Sequence, residues 1–168
     1  MTAADLDFRP AEPAEADALW ALTLRSLGHW GHPENHPDLI ARMTAEDAIT
    51  AAYIRDNDTW VLASGDGTPV GYYGLKPIED GMDLTYMFLE PEAIGGGLGR
   101  RMWDHAVARA RTSGRDRMRI VSDPMSIGFY ATMGAELERT VALAPDFELG
   151  VMWLPLIDGG EPAGRTGR

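Results

Sequence analysis

Residues 82–134 read MDLTYMFLEPEAIGGGLGRRMWDHAVARARTSGRDRMRIVSDPMSIGFYATMG. Their order of patterns decides the fold. MDLTYMFLEP (82–91) alternates in the manner of a strand, and the loop EAIGGG follows it. From Leu98 to Thr112 the period becomes helical, with Leu98, Met102, Ala106 and Ala110 four residues apart and Trp103 and Val107 beside them. Ser113-Gly114 supplies the stop, glycine taking the left-handed position that ends a helix. RMRIVSD (117–123) is strand-like again, and PMSIGFYATMG (124–134) carries a short helix. A strand, a helix and a second strand in this order predict one parallel pair joined by a right-handed crossover.

Outward from this unit, the N-terminal side begins with a short strand at LDFRPA (6–11), stopped by Pro10 and Pro13. Helical spacing over 14–27 places Ala18, Leu19, Leu22 and Leu27 on one side. GHWGHPENHP (28–37) breaks the pattern with two glycines and two prolines. A second helical zone runs from Asp38 to Arg55, and the cap-like Thr44–Asp47 divides it in two. TWVLAS, the GDGTP turn and VGYYGLKPI then read as a hairpin, and the turn Glu79–Gly81 leads into residue 82. On the C-terminal side, ELERTVALA (136–144) and FELGVMWLPL (147–156) close the chain as paired strands. The predicted order is β-α-α-β-β-β-α-β-α-β-β, an α/β (α+β) fold with a mostly antiparallel sheet.

The 168 residues and 18.3 kDa suit one domain, expected over 1–157, with 158–168 (DGGEPAGRTGR) a disordered tail too rich in glycine, proline and charge to support a core. There is no cysteine, which excludes a disulfide framework, a thiolate metal site and a cysteine nucleophile. The histidines and nearby acids form no recognisable ligand set, so no metal is expected. No apolar run approaches the ~20 residues of a membrane span, and MTAADLDFRP is too acidic for a secretory signal. No membrane partner and a cytoplasmic location are the expectation.

The net charge of −11 argues against nucleic acid, whose backbone needs a basic footprint. Within this acidic chain, residues 100–119 hold seven arginines against Asp104 and Asp116. Either that stretch receives a compact anion or it is a solvated helix face. Gly95, Gly96, Gly97 and Gly99 stand directly before the helix, where first-turn amides lack intrahelical acceptors and the helix dipole favours negative charge. A phosphate or pyrophosphate suits such a nest, and Arg100 and Arg101 would add charge. A plain connecting turn is the alternative. The spelling fits neither a Walker loop, which needs Gly-Lys-Ser/Thr, nor a dinucleotide fingerprint, because an arginine (Arg119) stands twenty positions after Gly99.

EPEAIGGGLGRRMW (90–103) resembles the acetyl-CoA loop of the GNAT acetyltransferase superfamily, and SDPMSIGFYATMGAE (122–136) resembles that family's next signature. Two departures stand out: Ile94 replaces the usual Arg or Gln, and Asp123 stands where Asn is frequent. The resemblance implies the GNAT fold, a twisted mixed sheet of about seven strands with one splayed parallel pair and about four flanking helices. It implies acetyl-CoA as co-substrate. Pyrophosphate contacts fall on Gly95, Gly96, Gly97, Leu98, Gly99 and Arg100. Pantetheine contacts fall on the main chain of Met87, Phe88 and Leu89, with Asp123 at a further cofactor position.

The implied reaction is direct attack of an amine on the acetyl thioester. An N–H near Leu89 would stabilise the oxyanion, and Tyr130 would protonate the departing thiolate. Asp83 is the candidate base. His29, Trp30 and His32 match the loop that walls the acceptor pocket. The acceptor is a small-molecule amine or a protein N-terminus. His105 is expected at the surface, and the apolar strand VMWLPL (151–156) suggests a homodimer. Two readings from other classes stay open: a non-catalytic acyl-CoA-binding module, and an interaction domain with an empty glycine loop.

Overall fold

The computed structural model describes residues 5–157, so the tail expected to be disordered lies outside the described residues. Seven strands form one sheet in the order β1-β2-β3-β4-β5-β7-β6. They are β1 (Asp7–Pro10), β2 (Asp58–Ala63), β3 (Pro69–Ile78), β4 (Gly81–Leu89), β5 (Arg117–Ser122), β6 (Glu136–Ala144) and β7 (Phe147–Pro155). Among the described strands only β4 and β5 pair in parallel. The helices are α1 (Ala16–His29), α2 (His32–Asn35), α3 (Pro37–Glu46), α4 (Ala51–Asp56), α5 (Leu98–Arg111) and α6 (Ile127–Thr132).

Strand alternation sends two apolar sets to opposite faces. On one face Leu62, Leu75, Met82, Leu84, Met118, Ile120 and Met152 pack under the Met102, Trp103, Ala106 and Ala110 stripe of α5. Burying each large side chain is worth roughly 1.5–3 kcal/mol. On the other face Val61, Tyr72 and Tyr86 meet Leu19, Trp20 and Leu22 of α1. Gly71 lets α5 approach, since a Cβ there would come within 2.7 Å of Met102 Sδ.

Several boundaries differ from the sequence reading. Ala18 is exposed, and Ala16 and Thr23 share the buried stripe of α1 instead. The break at 28–37 contains the one-turn α2, entered through Gly31 at φ 75°. The second helical zone divides at Thr50, whose hydroxyl accepts the Tyr53 amide, and not at Thr44, which bonds back to the Ile40 carbonyl within α3. The apolar character of 151–156 is used inside the chain, because β7 lies between β5 and β6. His105 is half-buried rather than at the surface. It stacks on Phe8 with centroids 3.9 Å apart, and its Nδ1 lies 2.6 Å from the Tyr73 hydroxyl.

Two local features open the sheet. The β3–β4 register passes from Gly74↔Tyr86 to Leu75↔Leu84, leaving Thr85 as the extra residue of a bulge. A bulge bends its strand and ends regular pairing. The β4–β5 ladder accordingly covers only Met82–Leu84 against Met118–Ile120, while β5 continues beside β7 to Ser122. Beyond Leu84 the two parallel strands part in a V.

Candidate functional site

The V is the floor of a cleft of about 640 Å³, within the ~300–1,000 Å³ span of ligand sites. One wall is the outer half of β4 and the glycine loop, the other is the end of β5 and the start of α6, and Ser26 and Trp30 overhang it from the end of α1. Main-chain direction on β4 follows from one bond. Glu90 N donates to Val70 O, so Glu90 and, two residues back, Phe88 face β3. By the alternation of an antiparallel ladder, the N–H and C=O of Met87 and Leu89 face the V.

The strand runs into the glycine loop through a short 3-10 turn, Pro91–Ala93. Gly95 at φ 90° and Gly97 at φ 82° hold conformations that side chains rarely adopt, and a Cβ on either would meet no atom within 4 Å. Gly97 caps α5, whose first backbone bond is Arg101 N to Gly97 O at 3.2 Å. The amides of 98–100 precede that bond and have no intrahelical acceptor. Open space, bare peptide and unpaired amides are what a pyrophosphate followed by an extended amide arm would occupy. The residues present therefore fit coenzyme A. Gly95, Gly97, Gly99 and Arg100 line the cleft, whereas Gly96 and Leu98 line a hollow on the loop's far side.

Of the seven arginines in 100–119, only Arg100 lines the cleft. Arg101 turns away to the Leu6 carbonyl, Arg109 pairs with Asp58 at 2.9 Å, and Arg111 reaches the Leu156 carbonyl. Arg115 bonds the Ile78 carbonyl, Arg117 lies over the Trp153 ring, and Arg119 holds Asp83. The basic run is mostly a set of staples fastening α5 and β5 to their neighbours.

Tyr130 is buried in α6, its ring 5.5 Å from that of Trp103, and it lines the cleft. Burial pushes its phenol above the ordinary value of 10, and the Asp123 carboxylate adds to the rise. The group therefore stays protonated through neutral pH, in the form that can donate to an anion. Asp123 also lines the cleft, with its carboxylate accepting from the amides of Met125 (2.7 Å) and Ser126 (3.1 Å). Ile94 and Phe88 line it too.

The remaining candidates disperse. Asp83 is absent from the lining: its carboxylate receives Arg119 Nε at 2.8 Å and the Thr85 hydroxyl at 3.0 Å. Trp30 lines the cleft, but His29 is exposed with its ring edge-on to Trp30. His32 is buried behind the wall, its Nε2 3.9 Å from Asp123 and without a hydrogen bond. Burial lowers its pKa below 6.5. Thr85 and Ser26 line the cleft and were not singled out from the sequence; a bulge leaves no periodic trace that would have marked Thr85.

Comparison with known proteins agrees with this geometry. Residues 18–135 match the model of the acetyltransferase (GNAT) family, more than half of the chain. The protein belongs to that family. Its fold is similar to a GCN5-related N-acetyltransferase from Rhodopseudomonas palustris (20% identity, 92% of this chain and 98% of that one, TM-score 0.74). It is likewise similar to the PaiA N-acetyltransferase of Thermoplasma acidophilum in complex with coenzyme A (17% identity, 92% and 99%, TM-score 0.73). A third similar structure is the ribosomal-protein-S18-alanine N-acetyltransferase of Escherichia coli (15% identity, 93% and 97%, TM-score 0.66). No curated protein sequence matches. No helix among the described residues is long and apolar enough to cross a membrane.

Proposed function

We propose that this protein transfers an acetyl group from acetyl-CoA to a primary amine, on a small molecule or a protein N-terminus, by direct attack and without an acyl-enzyme. The observation that carries the reading is the continuous track from the V-facing main chain of Met87 and Leu89 to the unpaired amides at the start of α5. The bound co-substrate supplies the thioester carbonyl. The Leu89 N–H faces the V and is the assigned oxyanion donor, an interaction typically worth ~3 kcal/mol.

Tyr130 is the assigned donor to the departing sulfur. Its raised pKa makes the phenol a weaker acid than a thiol of pKa ~8.5, so the hydrogen bond to the developing thiolate is what it contributes, rather than complete proton transfer. Asp83 faces Arg119 and Thr85 and receives no direct role as base; as the C–N bond forms and the C–S bond breaks, the nitrogen sheds one proton to solvent and the sulfur leaves as thiolate, which takes a proton from solvent to give the free thiol. Trp30 walls the acceptor side, and His29 and His32 receive no contact with the acceptor. The acidity of the chain outside the site favours a cationic acceptor by weak steering.

A second reading, an acyl-CoA-binding module without turnover, is favoured by one observation: among the described residues lining the cleft there is no His or Glu, and the carboxylate there, Asp123, is held by the Met125 and Ser126 amides. One experiment separates the two. Release of free thiol from acetyl-CoA is followed over a panel of primary amines, beside calorimetric titration of acetyl-CoA. Binding with amine-dependent thiol release supports the enzyme; binding with none over the whole panel supports the module.

A further inference from the structure

The acyl-transfer reading leaves open which protein atom receives the incoming amine, and the bulge supplies one. Thr85, the extra residue of β4, lines the cleft at the point where β4 and β5 part. Its hydroxyl hydrogen is committed to Asp83 Oδ2 at 3.0 Å. Asp83 is itself held by Arg119 Nε at 2.8 Å, in parallel register with it. A threonine hydroxyl has one hydrogen and two acceptor sites. With the hydrogen spent on a carboxylate, what Thr85 offers a ligand is lone pairs, and bonding to an anion strengthens its oxygen as an acceptor.

The neighbouring Tyr53 completes the picture. Its hydroxyl is buried and lies over Gly74, where a Cβ would come within 2.8 Å of it. Gly74 is the residue beside the bulge on β3, and the Thr85 hydroxyl stands within hydrogen-bonding reach of the Tyr53 phenol. Thr85 thus lines the cleft with Asp83 and Tyr53 behind it, neither of which lines the cleft itself.

We propose that the Thr85 hydroxyl, oriented by Asp83, accepts an N–H of the attacking amine and aims its lone pair into the V, with Asp83 a positioning residue acting through Thr85. This rests on the acyl-transfer reading. The N–H that Thr85 accepts stays on nitrogen; the other is shed to solvent as the C–N bond forms and the sulfur departs, so a primary amine keeps this contact through to the product amide, whereas a secondary amine loses it.

The test uses the full chain and the best amine of the panel, with thiol release as the rate and calorimetry for acetyl-CoA. Thr85→Val keeps the branched shape without the hydroxyl, and Thr85→Ser keeps the hydroxyl. The expected result is a loss of roughly ten- to a hundredfold in kcat/KM for the amine in Thr85→Val, the effect of removing a hydrogen bond to a charged group. Thr85→Ser should stay within about threefold of the parent, and acetyl-CoA affinity should be unchanged in both. Asp83→Ala should lower kcat/KM in the parent background but not in Thr85→Val, a coupling that a merely structural carboxylate would not show. Should Thr85→Val fold poorly, Thr85→Ala gives the same comparison. Amine kinetics in Thr85→Val equal to the parent's, or a loss confined to acetyl-CoA affinity, would overturn the assignment while leaving acyl transfer standing. A parent protein that binds acetyl-CoA yet turns over no amine would overturn the transfer reading and this assignment with it.

Discussion

At the scale of single residues, chemistry depends on which way a side chain turns. Arg100 and Arg101 are adjacent, yet one lines the cleft and the other reaches the Leu6 carbonyl. Tyr130 is the residue whose removal is most informative. Tyr130→Phe keeps the ring packed on Trp103 and removes only the donor to the leaving sulfur. Steady-state kinetics should show kcat lowered by roughly ten- to a hundredfold, with acetyl-CoA affinity and thermal stability unchanged; an unaltered kcat would remove Tyr130 from the mechanism. The glycines before α5, Tyr130 and Trp30 were legible in the sequence because short motifs name them. Asp83 and His32 were also noticed, but their partners Arg119 and Asp123 lie 36 and 91 positions away, and only folding decides whether such a group faces ligand or ion pair.

At the scale of elements, the decisive object is the short β4–β5 ladder. The strand-helix-strand order predicted the parallel pair; α5 and β5 end one residue before their expected bounds, and β4 ends two residues early, at Leu89. The bulge at Thr85 was not legible: TYMFL alternates as well with the extra residue as without it. The ladder also depends on Gly81, where a Cβ would collide with the Arg117 carbonyl oxygen. Gly81→Ala should therefore destabilise the fold by about 1–3 kcal/mol, the usual cost of overpacking, read as a lower denaturant midpoint. A midpoint equal to the parent's would show that β4 and β5 can part here without cost.

At the scale of the whole molecule, acid stability follows from two histidines, the buried His32 and the half-buried His105. Burial holds both His32 and His105 below the ordinary 6.5; Asp123 opposes the shift at His32, and Asp58 opposes it at His105. The folded chain then binds fewer protons than the unfolded one just below pH 6.5, so this contribution to stability is full above about 6.5 and is lost as pH falls toward the lowered folded values. Unfolding midpoints measured from pH 7.5 to 5 should fall on the acid side, and His105→Gln should flatten part of the slope. A slope unchanged in that variant would show that His105 does not contribute.

The molecule as a whole is an acidic chain whose cleft between β4 and β5 is lined in part with bare peptide, and the account stands on what enters it. Calorimetric titration of acetyl-CoA into the full chain tests that most directly. The account predicts saturable binding at one site per chain, weakened by Gly97→Val, which would force a branched side chain into a backbone conformation of φ 82° at the cap of α5. No binding at millimolar acetyl-CoA, or binding indifferent to that substitution, would contradict it.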